Sequence, residues 1–274
     1  MPKFLLPLIL LALLLPSGLN AQARFATLGA DDLQWLGAQI FSNECSRQLD
    51  CLLSWNVGED FPSLGIGHFI WYREGQQEPF EESFPALLNF LQQQGHTLPG
   101  WLETVRFEQP WPDRDSFLAA RQDEQLQALA RLLETSMADQ TAFILERFRV
   151  SLDRLLGPLP TATRSALEAH MDAMLRQDAR LGAYALIDYV HFKGDGSKPS
   201  ERYQGTGWGL LQVLQGMENH SSHMALQAFA ASAAAVLEQR VALAPPERDE
   251  QRWLAGWHKR LQTYVPAADN AGSQ

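Results

Sequence analysis

Apolar side chains recur at helical spacing along most of the chain. The first stripe follows Asp31 and Asp32, either of which can cap a helix, and it predicts a helix that runs to about Glu44. The members of this stripe are Leu33, Leu36, Gly37, Ile40 and Phe41. Similar stripes predict helices over 81–94, 117–133, 138–156, 161–176, 179–192, 209–217, 224–239 and 248–264, with a loop over 99–112. We therefore expect a mostly α-helical protein.

One stretch, 63–72, has a different pattern, with the sequence SLGIGHFIWY. Gly65 and Gly67 permit backbone conformations and close approaches that a Cβ atom would block. The aromatic and β-branched residues that follow have high β-propensity, which predicts a short hairpin or a three-stranded sheet. We expect an α+β fold in which a small β-hairpin subdomain joins a mostly helical body. Trp71 can stack on a sugar ring, although aromatic side chains in strands pack in the core more often.

Residues 1–23 have the pattern of a secretory signal. Lys3 gives a positive start, an apolar run covers 4–15, and Ala21 and Ala23 form the small-x-small pattern of a cleavage site. The run is shorter than the roughly 20 residues that span a bilayer, which argues against a membrane anchor. We expect cleavage after Ala23 and an exported protein, periplasmic if the source is a Gram-negative bacterium.

Composition and motifs argue against several partners and cofactors. The net charge of −10 disfavours nucleic acid or an anionic membrane, because phosphate binding needs a basic patch. Neither a Walker loop nor a dinucleotide-binding loop is present, so no cofactor is expected. Glu218, His220 and His223 have a spacing compatible with a metal, but an exposed polar turn is the favoured interpretation and no metal is expected. The mature chain is expected to be a monomeric single domain over 24–266, with a disordered tail over 267–274.

Both cysteines, Cys45 and Cys51, follow the signal segment, and an oxidising compartment favours a disulfide between them. Six residues of continuous helix rise about 9 Å, which is too far for the bond. The chain must therefore turn between 45 and 51, and the predicted helix would end directly after Glu44. The alternative is a pair of free, buried thiols.

Glu44 occupies the next position on the apolar stripe of the first predicted helix. A carboxyl group at that position is partly removed from water, and a buried carboxyl group holds its proton more firmly, as a general acid must. The alternative is that the helix ends earlier and that Glu44 is an ordinary solvated side chain.

A second glycine-rich polar segment covers 192–208, between two predicted helices. Long polar loops held between packed helices are typical binding positions. Tyr203, Trp208 and Gln212 are the candidates for substrate binding here, and the last two are one helical turn apart. Three polar side chains of the preceding predicted helix share a face: Tyr184, Asp188 and His191. The alternative is an ordinary surface loop.

A glutamate at a helix end, a polar connector and a turn with the sequence Ser-Leu-Gly-Ile-Gly-His together resemble the phage-type lysozymes. The later segment 207–213, Gly-Trp-Gly-Leu-Leu-Gln-Val, is similar to the Gly-Leu-Met-Gln-Ile helix start of lytic transglycosylases, which share the lysozyme fold. The matching part covers about 25 residues of the chain. The resemblance implies a lysozyme-like fold and an enzyme that cleaves amino-sugar polymers.

The resemblance also implies a role for each matching residue. Glu44 would be the general acid that protonates the glycosidic oxygen. Ser63 stands where the family has a threonine that helps to position a water. Gly65 and Gly67 would shape the floor of the hairpin, and His68 matches a family histidine whose role is structural.

The connector departs from the family pattern. The family places an aspartate six residues before its threonine, where this chain has Val57. Glu59 and Asp60 are the nearest acids and are therefore the candidates for a second catalytic carboxylate. The spacing from Glu44 to the hairpin is longer by about four residues, which the predicted disulfide loop can absorb. Glycosidases use two carboxyl groups, whereas transglycosylases manage with one acid because the sugar's own hydroxyl attacks.

These features predict an exported hydrolase or lytic transglycosylase with peptidoglycan as its substrate and partner. Three alternatives stay open. A related enzyme would act on another glycan such as chitosan, a cationic polymer that suits an acidic protein. A non-catalytic glycan-binding or envelope-scaffold protein would keep the cleft without a second acid. An α-helical periplasmic interaction protein would use the hairpin only structurally, and a groove shared by Glu44 and the Gln212 loop would argue against it.

Overall fold

The computed structural model describes residues 24–76, 80–105, 108–217 and 221–266. The predicted signal segment, the predicted tail, Glu218 and His220 lie outside these described residues. The described chain is mostly helical and includes a small antiparallel sheet, so the predicted α+β class with mostly α-helical content is confirmed. None of the described helices combines the length and the apolar character needed to cross a bilayer.

The described helices and strands are numbered separately along the chain. Strands β1 to β3 lie between α1 and α2, and strands β4 and β5 lie between α8 and α9. The helices are α1 (Ala30–Cys45), α2 (Phe84–Gln93), α3 (Gly100–Thr104), α4 (Arg114–Ala119), α5 (Glu124–Thr135), α6 (Met137–Leu156), α7 (Thr161–Gln177), α8 (Ala179–Lys193), α9 (Leu210–Gly216), α10 (Ala225–Leu243) and α11 (Gln251–Leu261). The strands are β1 (Leu53–Ser54), β2 (Ser63–Leu64), β3 (Phe69–Ile70), β4 (Arg202–Tyr203) and β5 (Thr206–Gly207).

The apolar stripe of α1 packs against α6. Leu36, Ile40 and Phe41 of this stripe are buried. Gly37 permits the close approach of the two helices, because a Cβ atom there would lie 2.5 Å from Thr141 Oγ1. The stripe is therefore the buried face of α1, as its spacing predicts, and the end of α1 lies at the edge of the core.

Helix α8 runs through the centre of the helical body, against α7, α1 and α6. Its side chains are buried from Gly182 to Tyr189, so a helix with little amphipathic character is stable only because neighbours cover all its sides. Gly182 allows the approach of α7, because a Cβ atom there would meet the Met174 backbone at 2.9 Å. Asp188 lies in this buried stretch.

The sheet has the order β1-β2-β3, with Leu53 opposite Leu64 and Leu64 opposite Phe69. The turn between β2 and β3 docks on α6 through one buried side chain. Gln140 accepts a hydrogen bond from Ile66 N at 3.0 Å and donates one to Leu133 O at 2.6 Å. The stretch 63–72 therefore forms the predicted hairpin of β2 and β3, β1 from upstream completes a three-stranded sheet, and α6 fixes the turn.

Two predicted segments differ because tertiary contacts override the local pattern. The stretch 99–112 is not all loop, since α3 forms there and buries Leu102 in the core. The predicted helix over 117–133 is two helices, α4 and α5. The chain tightens into a 3-10 turn at Ala120–Gln122 and becomes extended at Asp123, which precedes α5.

The segment 192–208 contains the small hairpin β4-β5 as well as loop residues. Helix α1 begins after Gly29, so its N-cap residue is Gly29 and not Asp31 or Asp32. Asp32 lies in the first turn, and its carboxylate accepts a hydrogen bond from the Gly29 N–H. The remaining predicted helices agree with the described ones to within about four residues at each end.

Candidate functional site

Glu44 lies in the last turn of α1, directly before a sharp change of chain direction. Ser46 and Arg47 have positive φ values of 48° and 60°, which end the helix. The turn brings Cys45 and Cys51 to a Cα–Cα distance of 5.4 Å, and they form a disulfide. The predicted disulfide and the predicted turn are both confirmed, and together they fix the position of Glu44 beside the sheet.

The Glu44 carboxylate pairs with Arg260 of α11. The Arg260 Nη2 atom donates to Glu44 Oε1 at 2.7 Å, and each of the two side chains is only 18% exposed. An ion pair with so little access to water is screened much less than one on the surface. Glu44 is therefore the partly desolvated side chain that its place on the stripe predicts, and it has a partner that the stripe does not reveal.

Asp188 of α8 holds the guanidinium of Arg260 in place. Arg260 Nε donates to Asp188 Oδ2 at 2.8 Å, and Nη2 donates to Oδ1 at 2.7 Å. Asp188 is 1% exposed and also accepts hydrogen bonds from the Tyr264 hydroxyl and the Asn43 amide. A buried carboxylate with all these donors is fully satisfied, so it forms a rigid support for Arg260.

Burial and charge act in opposite directions on Arg260. Burial disfavours the charged guanidinium, but the hydrogen bonds and charge of Asp188, together with the charge of Glu44, raise the pKa of Arg260 overall. Burial raises the pKa of the Tyr264 hydroxyl, and the neighbouring Asp188 carboxylate adds to the effect. Arg260 is therefore a permanent cation and Tyr264 a permanent donor across the physiological range.

His68 packs against the disulfide near Glu44. Its Nε2 atom lies 3.4 Å from Cys51 Sγ and 3.9 Å from Cys45 Sγ, and its backbone has a positive φ of 46°. Burial lowers the pKa of His68, the Glu44 charge raises it, and His191 lowers it further. The net shift is downward, so His68 is mostly neutral at pH 7, which agrees with a structural role. These three donor atoms lie within 4.8 Å, but a disulfide offers no thiolate to a metal.

The remaining hairpin candidates surround the turn. Ser63 is buried on β2, and its Oγ atom has no hydrogen-bond partner among the described residues. Gly65 has a positive φ of 69°, and a Cβ atom there would lie 2.4 Å from Gln140 Oε1. Gly67 lies against the Phe69 ring, where a Cβ atom would come within 2.7 Å. Both glycines are thus required by close packing at the floor of the hairpin.

The two candidate second carboxylates are not brought to Glu44 by any hydrogen bond or ion pair among the described residues. Glu59 Oε2 accepts a hydrogen bond from the Asn56 amide at 3.1 Å in the same connector. The Asp60 backbone carbonyl accepts one from Gln76. Val57, at the position of the family's aspartate, is 85% exposed. The connector therefore has no acid at the position where the family has its aspartate.

Trp71 is fully buried. Its ring lies 4.9 Å from Phe84, 6.1 Å from Trp101 and 5.9 Å from Trp111, measured between centroids. This aromatic cluster closes the core beneath the sheet, as the alternative interpretation of Trp71 supposes. No face of the ring is open to a sugar in this conformation, and we leave Trp71 out of the proposed site.

The second polar segment holds its candidate side chains in structural contacts. Gln212 Oε1 accepts from Gly209 N at 3.0 Å, and its amide packs directly against Gly196 and Gly207. The Tyr203 hydroxyl donates to Glu250 at 2.8 Å, and its ring centroid lies 4.5 Å from that of Trp208. Gln212 thus holds the loop in place through its contacts with three glycines. Of the three candidates, Tyr203 and Trp208 are the ones that contact charged side chains, Glu250 and Arg240.

A chain of aromatic rings and cations connects this segment to Glu44. The Arg260 guanidinium lies 4.4 Å from the Phe192 ring centroid, and Lys193 Nζ lies 4.0 Å from the same centroid. Arg240 lies 4.1 Å from the centroid of Trp208. Phe192, Lys193 and Arg240 line a groove of about 570 Å³. Neither Glu44 nor Gln212 lines this groove, so it is not the shared groove that would argue against a purely structural hairpin.

Long-range pairing explains what the sequence analysis missed. Asp188 was visible only as a member of a polar face on its helix, and nothing in the local pattern indicates that Arg260 joins it to Glu44. The two residues are separated from Arg260 by 72 and 216 positions. A single buried acid inside an otherwise apolar helix was the available signal, because such a group needs a cation or several donors.

Compared with protein-family models, with curated proteins and with solved structures, the chain matches none. The residues around Glu44 and the short hairpin motif are therefore the features of the chain that indicate a function.

Proposed function

We propose that this chain is an exported glycan-cleaving enzyme that acts on peptidoglycan, with Glu44 as its general acid. The observation that supports the proposal is the position of Glu44. Its carboxylate is mostly buried at the junction of α1, the sheet and α11, and it is held by a cation that Asp188 fixes in turn.

The acid step transfers a proton from Glu44 to the glycosidic oxygen of the leaving sugar. Arg260 bonds to Oε1, and no described residue donates a hydrogen bond to Oε2, so Oε2 is the oxygen that would hold the proton. Two hydrogen bonds to Asp188 also hold the guanidinium of Arg260, so its position does not depend on Glu44 alone.

The second step needs a nucleophile at the anomeric carbon. Because Val57 stands where the family has its aspartate, we favour the lytic transglycosylase route, which needs only one acid. The C6 hydroxyl of the muramic-acid residue attacks the anomeric carbon while the bond to the leaving oxygen breaks. The ionised Glu44 then takes the proton of that hydroxyl, which restores the acid. The product ends in a 1,6-anhydro sugar.

In the hydrolytic route a water replaces the C6 hydroxyl. Ser63 is the residue that the lysozyme resemblance assigns to water positioning, and its buried hydroxyl without a described partner is suited to that task. The product then has a reducing end. The two routes share Glu44 as the acid and differ only in the nucleophile.

A non-catalytic glycan-binding protein is the second candidate. Two observations favour it: Val57 is exposed where the family has its aspartate, and Glu44 is already engaged by Arg260. Such a protein would keep the fold and the groove and would bind glycan strands without cutting them.

The experiment is a digestion of purified peptidoglycan sacculi by the mature chain, followed by mass spectrometry of the soluble products. Release of anhydro-ended fragments supports the transglycosylase route, and reducing ends support hydrolysis. If no fragments are released, the same preparation is tested on chitosan and then in a sacculus pull-down. Cleavage of chitosan alone would replace peptidoglycan as the substrate, and binding without cleavage would replace the enzyme by a glycan-binding protein.

A further inference from the structure

The groove beside Phe192 is lined mostly by aromatic and basic side chains, which we call the basic groove. Its residues come from the end of α8, the last turn of α10, the segment between α10 and α11, and α11; they are Phe192, Lys193, Arg240, Glu247, Arg248, Glu250, Arg252, Trp253 and Trp257. The chain as a whole has a net charge of −10. A concentration of cations in one groove of an acidic protein indicates an anionic ligand rather than a generally basic surface.

Part of this charge is already neutralised inside the groove. Glu250 accepts two hydrogen bonds from Arg240, at 2.7 and 2.8 Å, and one from Arg248 at 3.0 Å. The Tyr203 hydroxyl adds a fourth. The bonds from Arg240 are the main cause that lowers the pKa of Glu250 to about 2, so Glu250 is ionised in any ordinary buffer. Glu250 therefore fixes Arg240 and Arg248 as the wall of the groove.

Two basic side chains of the groove have no carboxylate partner among the described residues. Lys193 Nζ lies 3.4 Å from the Trp257 ring centroid, between this ring and that of Phe192. Arg252 lies 4.8 Å from the ring centroid of Trp253, which is a largely exposed tryptophan. Arg248 uses one nitrogen for Glu250, and its side chain is 56% exposed. Lys193, Arg248 and Arg252 therefore have donors left for a ligand.

The aromatic rings indicate what else the ligand contains. Trp253 and Trp257 are one helical turn apart on α11, and both line the groove. Indole rings bind the apolar faces of sugars and the carbon chains of peptides, whereas guanidinium and ammonium groups bind carboxylates. A ligand that satisfies both kinds of group has carboxylates on a scaffold with apolar faces.

We propose that the basic groove binds the carboxylates of a peptide-bearing amino-sugar strand, and so selects this anionic glycan over neutral or cationic ones. The inference rests on the proposed function, because Phe192 joins the groove to Arg260 and hence to Glu44. The lactyl and peptide carboxylates of the strand would lie at Lys193, Arg248 and Arg252 while the sugar chain extends toward Glu44. A cationic polymer such as chitosan would be repelled from the same groove.

Lys193 gives the site a pH signature. Burial, and then the charge of Arg240, lower its pKa to about 6, with Glu250 opposing the shift and Arg260 adding to it. The other charged groups that line the groove are Glu247, Arg248 and Arg252. At pH 7.5 the free protein therefore has a mostly neutral Lys193 amine. A bound carboxylate favours the protonated amine, so binding takes up a proton and weakens as the pH rises above about 6.

The test is calorimetric titration of a soluble muropeptide into protein that has the Glu44→Gln substitution, so that no cleavage interferes. Replacement of one hydrogen bond between charged groups removes roughly 1.5 kcal/mol, so we expect about a tenfold weaker Kd for Arg252→Gln and for Lys193→Met. Arg154→Gln, which removes an exposed arginine of α6, is the matched control and should bind like the parent. The same muropeptide with its carboxyl groups amidated should bind at least tenfold more weakly than the free acid.

The pH readout separates a direct role of Lys193 from a change in packing. Binding by the parent should be tighter at pH 5.5 than at pH 7.5, and Lys193→Met should lose most of this difference. The inference is overturned if the amidated ligand binds as well as the acid, or if Arg154→Gln weakens binding as much as Arg252→Gln does. Carboxylate-dependent binding without any cleavage by the wild type would support the basic groove as a binding site and contradict the proposed enzyme activity. Cleavage of free-acid and amidated strands at equal rates would support the enzyme activity and contradict the role of the basic groove.

Discussion

The Arg260 guanidinium lies 2.7 Å from the Glu44 carboxylate, although 216 positions separate the two residues along the chain. The contact joins the last helix of the described chain to the end of the first. Because Asp188 supports Arg260 from the core, the position of Glu44 depends on three helices, α1, α8 and α11. Rigid elements of this kind hold a reactive group more accurately than loops do.

Removal of the Asp188 charge should destabilise the fold. Asp188→Asn keeps the size of the side chain but leaves the mostly buried Arg260 with Glu44 as its remaining carboxylate partner. Breaking a buried pair on one side typically costs about 3 kcal/mol of unfolding free energy. Urea denaturation measures the loss, with Asp153→Asn, an exposed acid of α6, as the control. A loss no greater than that of the control would contradict the role of Asp188 as the support of Arg260.

Alanine substitutions at two glycines with nearly equal φ angles distinguish the cost of backbone strain from the cost of steric overlap. Gly65 and Gly75 have φ values of +69° and +71°, but a Cβ atom meets Gln140 only at Gly65 and meets nothing within 4 Å at Gly75. Alanine at a positive φ costs about 1 kcal/mol through strain alone. We expect this loss for Gly75→Ala and a clearly larger loss of unfolding free energy for Gly65→Ala. Equal losses of unfolding free energy for the two variants in urea denaturation would mean that the Gln140 side chain moves aside at no cost.

The disulfide should stabilise the turn after Glu44. Closing a loop as short as that between Cys45 and Cys51 contributes about 2 kcal/mol in the chain-entropy account. The double variant Cys45→Ser/Cys51→Ser should therefore unfold at a lower urea concentration, with an unfolding free energy that is smaller by this amount.

Intact mass spectrometry of the exported protein checks both the disulfide and the signal cleavage. The disulfide lowers the mass by two hydrogens, and cleavage after Ala23 leaves Arg24 as the first residue. Two free thiols, or an uncleaved leader, would contradict the respective prediction.

Lys193 should make the fold less stable at neutral pH than at alkaline pH. Its pKa is lowered from about 10.5 to about 6 by burial and by Arg240, so the unfolded chain binds more protons between these values. The contribution to stability is greatest above pH 10.5 and falls as the pH decreases to about 6. Lys193→Met should therefore unfold at higher urea concentration at pH 7 and show a flatter pH dependence from 6 to 9. Parallel stability curves for wild type and Lys193→Met would refute the buried, neutral amine.

Local pattern predicted the parts of this fold that local physics controls. The stripe of α1, the glycine-dependent turn at Gly65 and the disulfide between Cys45 and Cys51 all follow from spacing and residue type. The break at Ala120–Gln122 does not, because the apolar spacing continues through it, whereas in the structure Arg121 donates hydrogen bonds to the distant backbone carbonyls of Asp50 and Leu53. Short helices such as α3 are likewise set by tertiary contacts rather than by propensity.

The candidate site was predictable only in part. Glu44 was marked by its place on an apolar stripe, whereas its partner Arg260 lies on a helix whose sequence shows only amphipathic spacing. Trp71 is fully buried and Gln212 locks its loop, and periodicity does not distinguish these roles from ligand contact. Pairing between distant side chains has no signature in a single sequence, which is why Asp188 and the basic groove emerge only from the three-dimensional arrangement.

One comparison of cleavage rates decides whether Glu44 is the general acid. Wild type, Glu44→Gln and Glu134→Gln, an exposed glutamate of α5, are given the same sacculi, and the release of soluble fragments is followed over time by mass spectrometry. Loss of a general acid typically lowers the rate by about 10²- to 10⁴-fold, so we expect such a loss for Glu44→Gln and none for Glu134→Gln. Fragment release by Glu44→Gln at the wild-type rate would contradict the claim.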